Sequence, residues 1–218
     1  MPPSPRRRCL RQLPPYPGTP VPGSVRQRRA HPPLSRRESH GTAGKCFLVG
    51  DSAGANLDHN VAIWVAKENR VENLGLRRIR VVGLVSIQPM FGGEERSPAE
   101  VKFEGVPLVS MERTDWMWRV FLPDGSDRDH GASNVSGPNA EDLSGLDFPE
   151  TLVVVGGFDP LQDWQRRYHD WLKNSGKKVQ LIEYPKMFHA FYIFHDLPES
   201  SQLNTQIKDF INKKISEN

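Results

Sequence analysis

A short apolar run, Cys46-Phe47-Leu48-Val49, ends in Gly50-Asp51-Ser52-Ala53-Gly54, and a segment with helical patterning follows at once. Strand, sharp turn, helix is the context in which Gly-x-Ser-x-Gly becomes a nucleophile elbow, a strained turn that lifts the serine hydroxyl above the carboxyl edge of a sheet. Gly50 and Gly54 lack a Cβ, so strand and helix can approach each other on either side of the serine. Asp51 flanks the serine and reads as a structural residue. The five-residue pattern is common by chance, so its meaning depends on what the rest of the chain supplies.

From Cys46 onward, strands and helices alternate. Cys46 to Val49 reads as a fully buried strand, and Ala53 to about Asn69 as a helix with Leu57, Val61, Trp64 and Val65 at helical spacing. Arg80 to Ile87 and Thr151 to Val155 are further apolar strands, and Val179 to Tyr184 is a fourth, closed by Pro185. A helix from about Leu161 to Asn174 stops at Gly176, and a last helix near Ser201 to Ile215 places Ile207, Phe210, Ile211 and Ile215 on one face. Apolar strands separated by helices predict an α/β fold, a parallel sheet covered on both sides. Residues 91–146 interrupt this rhythm with a helix over Met111 to Phe121, carrying Trp116, Trp118 and Phe121, and then Gly/Asp/Asn-rich sequence. Such an insertion can wall a pocket, or its aromatic residues can simply pack on the core.

Residues 1–45 are different. They hold ten of the nineteen prolines and ten Arg/Lys residues against the single acid Glu38, so the net charge of +3 conceals a mildly acidic remainder. The expected organisation is therefore a disordered basic tail over 1–45 and a folded domain over 46–218. No aromatic interleaving or binding motif accompanies the arginines, so a solvated tail is expected and no specific nucleic-acid partner. Cys9 and Cys46 do not make a disulfide framework and fit a reducing compartment. The expected location is cytoplasmic, with a nuclear one left open, and the prolines of the tail argue against an import helix. No 18-residue apolar run is present to span a membrane. Scattered histidines and two cysteines lack metal-ligand spacing, and no phosphate-binding glycine motif occurs, so neither metal nor cofactor is expected.

A serine nucleophile needs a base, and the base needs a carboxylate to orient it. Asp159 follows Thr-Leu-Val-Val-Val-Gly-Gly-Phe, and His189 follows Val-Gln-Leu-Ile-Glu-Tyr-Pro-Lys-Met-Phe. Both lie past the carboxyl ends of expected parallel strands, the edge where open α/β sheets build their sites, and so does Ser52. Their order, Ser, Asp, His, is the one this kind of elbow takes. His189 would remove the Ser52 proton while Asp159 holds the imidazole tautomer and stabilises the imidazolium. The competing residues fit less well. His59 lies about two helical turns past Ser52 and packs or faces solvent, and His195 lies beyond the base position. His130 and His169 sit beside acids on expected surfaces. Asp163 suits the first turn of its helix, where a carboxylate favours the dipole.

With these residues placed, the chain resembles the plant carboxylesterases of the hormone-sensitive-lipase branch of the α/β-hydrolases, a group that also contains the gibberellin receptors. The matching stretches are Cys46 to Asn56, Gln88-Pro89-Met90-Phe91-Gly92-Gly93, Gly125-Ser126-Asp127-Arg128-Asp129-His130, Gly157-Phe158-Asp159-Pro160-Leu161 and Phe188-His189-Ala190-Phe191-Tyr192. The resemblance implies Ser52 as nucleophile, Asp159 as acid and His189 as base, a small-molecule ester substrate, and Asp127, Arg128 and Tyr192 as pocket candidates. Gibberellin receptors lose the catalytic histidine, so His189 points to the esterase side. Family members carry a His-Gly-Gly-Gly loop and four further strands ahead of the elbow, and nothing in residues 1–45 matches either. The resemblance thus implies the C-terminal portion of an α/β-hydrolase fold, about four parallel strands with flanking helices. It also implies an incomplete oxyanion hole, to which the backbone N–H of Ala53 contributes. The elbow strand would then lie at an exposed edge, open to self-association.

Overall fold

The computed structural model describes residues 44–69 and 79–217. Of the tail expected over 1–45, residues 1–43 lie outside the described residues, and Gly44 and Lys45 belong to the first strand instead. Four parallel strands, β1 (Gly44–Asp51), β2 (Ile79–Ile87), β3 (Glu150–Gly156) and β4 (Val179–Tyr184), pair in the order β1-β2-β3-β4. Five helices accompany them: α1 (Ala53–Glu68), α2 (Pro98–Lys102), α3 (Met111–Phe121), α4 (Gln162–Asn174) and α5 (Pro198–Ser216).

Successive strand residues point to opposite faces, and both faces are covered, which is why the strands read as unbroken apolar runs. Leu84, Val153 and Val155 pack with Ala62, Ile63 and Ala66 of α1 and Trp164, Tyr168 and Leu172 of α4. Val85, Ile87, Leu152 and Val154 pack on the other face with Leu203 and Phe210 of α5. Val109, Trp118 and Leu122 of the insertion pack in a third small cluster with Met90 and Leu161 of the main domain. Helix α2 was not foreseen from the sequence. It starts with a capping box, in which the Ser97 side chain accepts from the Glu100 N–H and the Glu100 side chain accepts from the Ser97 N–H.

Three expectations about burial need correction. β1 is not fully buried: it is only half-covered, and Val49 is 51% exposed, because among the described residues it pairs only with β2. Helix α1 turns the opposite way from its apolar pattern. Ala55, His59, Ala62, Ile63 and Ala66 face inward, while Leu57, Val61 and Trp64 are exposed. The cause lies at the elbow, where a Cβ on Gly50 would sit 2.6 Å from the Gly54 carbonyl carbon and 2.7 Å from the Ala55 nitrogen. A helix held that close to its strand accepts only small side chains near the turn. In α5, Phe210 is buried as expected, but Ile215 is exposed near the last turn and Leu203 takes the inner position upstream.

Candidate active site

Each strand ends in a residue of one cluster. Ser52 follows β1 directly, Gln88 follows β2 directly, Asp159 lies just past β3, and His189 lies in the loop after β4. Ser52 has φ 51°, a left-handed conformation that a β-carbon disfavours, as the elbow requires. Two backbone bonds hold it there: its N–H donates to the Ile87 carbonyl at 2.9 Å, and its carbonyl accepts from the Met90 N–H at 3.0 Å. The elbow is thus fastened to the residues just before and just after Gln88 and its neighbour Pro89.

The Ser52 hydroxyl lies 3.0 Å from Nε2 of His189, and Nδ1 of the same ring lies 2.8 Å from Oδ2 of Asp159. A carboxylate only accepts, so the proton of the neutral ring belongs on Nδ1 and the Nε2 lone pair faces the serine. Asp159 is fully buried. Its burial is compensated by donors: Oδ2 accepts from Gln88 at 3.1 Å and Gln165 at 2.8 Å, and Oδ1 accepts from the Leu161 N–H at 2.9 Å. Ala53 is the first residue of α1, so its N–H has no acceptor within the helix and points from the positive end of the helix dipole. Sequence reasoning placed all three of Ser52, Asp159 and His189 at this edge, and the structure brings them together.

Gly50 is held to glycine by the close helix, whereas a Cβ on Gly54 would meet nothing nearer than Asp51 Oδ1 at 3.7 Å. Asp51 accepts a hydrogen bond from the Tyr192 hydroxyl, so Tyr192 stands beside the elbow. Burial and the Asp51 carboxylate push the Tyr192 hydroxyl well above the ordinary tyrosine range, and it stays a donor. Asp127 and Arg128 do not join this cluster. Arg128 is ion-paired with Asp115 at 2.8 Å and Glu94 at 3.3 Å, and both residues border a separate cleft beside Arg96 and Trp118.

Three of the four histidines that competed with His189 are held elsewhere, and the fourth, His195, is exposed just past the short turn that follows His189. His59 is buried against the hydroxyl of Tyr168 at 3.0 Å and ringed by Phe91, Phe148 and Trp171. His169 faces Asp170 at 2.9 Å, and His130 accepts from the Ala132 N–H within its own loop. Asp163 accepts from the Ala99 N–H and pairs with Arg166, a first-turn role. A cleft of about 490 Å³ borders Ala53, walled by Leu57, Met90, Trp116, Met117 and Phe121. Trp116, Trp118 and Phe121 all line this cleft, and Trp118 is at the same time buried against Met90, Val109, Leu122 and Leu161. Gln88 and Gln165 were missed as site residues. Two signals pointed to Gln88: it follows a strand end like the other three, and it opens one of the stretches that carry the family resemblance.

A family profile for the alpha/beta hydrolase fold matches residues 24–193, reaching upstream of Cys46. The chain belongs to the α/β hydrolase fold family. Within it, the chain is 41% identical to gibberellin receptor GID1C of Arabidopsis thaliana over 171 residues, 77% of this chain and 46% of the receptor. It is 37% identical to probable carboxylesterase 8 of the same plant over 153 residues, 69% of this chain and 44% of that protein. Among solved structures, the hyperthermophilic esterase of the archaeon Pyrobaculum calidifontis superposes with a TM-score of 0.62 at 25% identity, covering 74% of this chain and 50% of the esterase. The chain spans about half the length of the curated relatives it matches. Among the described residues, no helix of this α/β hydrolase is long and apolar enough to cross a membrane.

Proposed function

We propose that this α/β hydrolase cleaves carboxylic esters through an acyl-enzyme on Ser52. The observation that carries the reading is the continuous relay from Ser52 through His189 to Asp159, with separations of 3.0 and 2.8 Å. Nε2 of His189 takes the hydroxyl proton as Ser52 Oγ attacks the ester carbonyl. The resulting imidazolium is stabilised by Asp159, and the oxyanion develops near the N–H of Ala53 at the α1 N-terminus. His189 then returns the proton to the departing alkoxide. A water activated by the same ring attacks the acyl-serine and frees the acid. The apolar cleft beside Ala53, with its exposed Trp116 and Phe121, suits an apolar acyl or alcohol group.

A fluorophosphonate probe should label Ser52, and nitrophenyl esters should turn over in the wild type but not in Ser52→Ala. Folded protein that neither labels nor turns over defeats the proposal. A second reading, a ligand-binding protein without turnover, draws on the 41% identity to a gibberellin receptor. Saturable gibberellin binding together with no ester turnover would favour it. Self-association through the outer edge of β1 belongs to the same set of expectations, motivated by the exposure of Val49. Sedimentation of the wild type beside Val49→Lys tests it, and a monomeric wild type removes it.

A further inference from the structure

Gln88 is fully buried, and its amide is saturated by the catalytic cluster. Nε2 donates to Oδ2 of Asp159 at 3.1 Å and to the carbonyl of Phe188 at 3.0 Å. Oε1 accepts from the N–H of Ala190 at 2.8 Å. Two acceptors face one end of the amide and one donor faces the other, so only this orientation satisfies all three partners. The side chain therefore grips the acid directly and the base from both sides, through the carbonyl before His189 and the N–H after it.

The backbone around this amide is unusual in the same place. Gln88 has φ 44° and Ala190 has φ 61°, and with Ser52 they are three of the four non-glycine residues with positive φ among those described. Such conformations persist only where the surroundings over-determine them, and they concentrate at functional sites. The Gln88 N–H is tied at 2.9 Å to the carbonyl of Val154 in β3, the strand that Asp159 follows. The flanking bonds from Ile87 and Met90 fix Ser52. Room for the amide is reserved as well: a Cβ on Gly156 would lie 2.5 Å from Gln88 Nε2.

We infer that Gln88 is a positioning residue that locks Asp159 and the His189 loop into one rigid unit, and that the relay loses its alignment without it. The inference rests on the esterase reading for its rate effects but not for its geometry. A glutamine also keeps the acid's neighbour uncharged while supplying a donor, which neither glutamate nor a hydrophobic residue of that size does.

The test uses the full chain as wild type, Gln88→Glu, Gln88→Ala and Ser52→Ala, with folding of each followed by circular dichroism. Two readouts run in parallel: ester turnover as a function of pH, and the low-field proton resonance of the His189–Asp159 hydrogen bond. Gln88→Glu is nearly isosteric but places a second carboxyl against Asp159. Its kcat at neutral pH should fall about 10²-fold with little change in KM. Activity should return toward acid pH as the introduced carboxyl becomes protonated and again donates. Gln88→Ala should lose kcat at every pH and lose the low-field resonance. If Gln88→Glu is folded and keeps the wild-type pH profile and resonance, the inference is overturned. If the wild type does not turn over but its resonance disappears in the Gln88 variants, the positioning role stands and the esterase reading falls. If Gln88→Ala does not fold, Gln88→Glu alone decides, through its acid-side recovery or the lack of it.

Discussion

Nδ1 of His189 and Oδ2 of Asp159 stand 2.8 Å apart in a site where the carboxylate is fully buried and the imidazole nearly so. In that setting the carboxylate selects which ring nitrogen carries the proton, and the Nε2 lone pair is left for Ser52. Asp159→Asn keeps the shape but can offer its amide N–H to Nδ1, which favours the unproductive tautomer. On the esterase reading, kcat for a nitrophenyl ester should drop about 10⁴-fold. The fold should survive, because the substitution is isosteric. Steady-state kinetics beside a thermal melt checks both, and unchanged kcat in a folded variant would remove Asp159 from the proposed mechanism.

The two glycines of the elbow are not equivalent. A Cβ on Gly50 would fall 2.6 Å from both Asp58 Oδ2 and the Gly54 carbonyl carbon, and 2.7 Å from the Ala55 nitrogen. Two of those atoms are backbone, so the elbow itself would have to move. Gly50→Ala should cost at least about 2–3 kcal/mol, the upper range for overpacking. Gly54→Ala meets only Asp51 Oδ1 at 3.7 Å and lies in the first turn of α1, so it should be neutral or stabilise by up to about 1 kcal/mol. Melting temperatures of the two variants compare them directly. Equal effects would mean that the symmetric reading of Gly-x-Ser-x-Gly is right.

That contrast shows where sequence reasoning works and where it stops. Periodicity and turn residues find β4 at Val179–Tyr184 and α3 at Met111–Phe121, both at the bounds observed. Strand-end logic finds Ser52, Asp159 and His189, because their side chains carry chemistry that a reader can seek. It does not find Gln88, whose amide has no reactivity and whose role exists only once three strand ends converge. The facing of α1 is hidden for a similar reason. Leu57, Val61 and Trp64 make the better apolar stripe, but the close approach at Gly50 decides which side faces inward.

The cleft beside Ala53 makes a specificity prediction under the esterase reading. Trp116 is 59% exposed and Phe121 is 51% exposed, so neither holds the fold together. Trp116→Ala and Phe121→Ala should leave the melting temperature almost unchanged. Each should raise KM for long-chain nitrophenyl esters by roughly 5–30-fold, the equivalent of about 1–2 kcal/mol of lost apolar contact, with little effect on acetate. A KM that ignores acyl length in both variants would place the substrate elsewhere.

His59 predicts a pH dependence of stability that has nothing to do with catalysis. Complete burial among Phe91, Phe148, Tyr168 and Trp171 pushes its imidazole down to about 3, from an ordinary value of 6.5. The folded protein therefore keeps His59 neutral at pH values where the unfolded chain protonates it. Its contribution is fully present above pH 6.5 and is lost as pH falls from there toward about 3. Between pH 7.5 and 5 the loss should be about 2 kcal/mol, or roughly 1 M in the urea midpoint. Other groups also titrate over that range, so the informative quantity is a difference between proteins. His59→Phe gives up the Tyr168 hydroxyl and should be less stable at pH 7.5. It also lacks the titrating ring, so its urea midpoint should decline less between pH 7.5 and 5 than that of the wild type. Parallel declines in the two proteins would mean that His59 protonates as readily in the folded state as in the unfolded one, which its aromatic enclosure forbids.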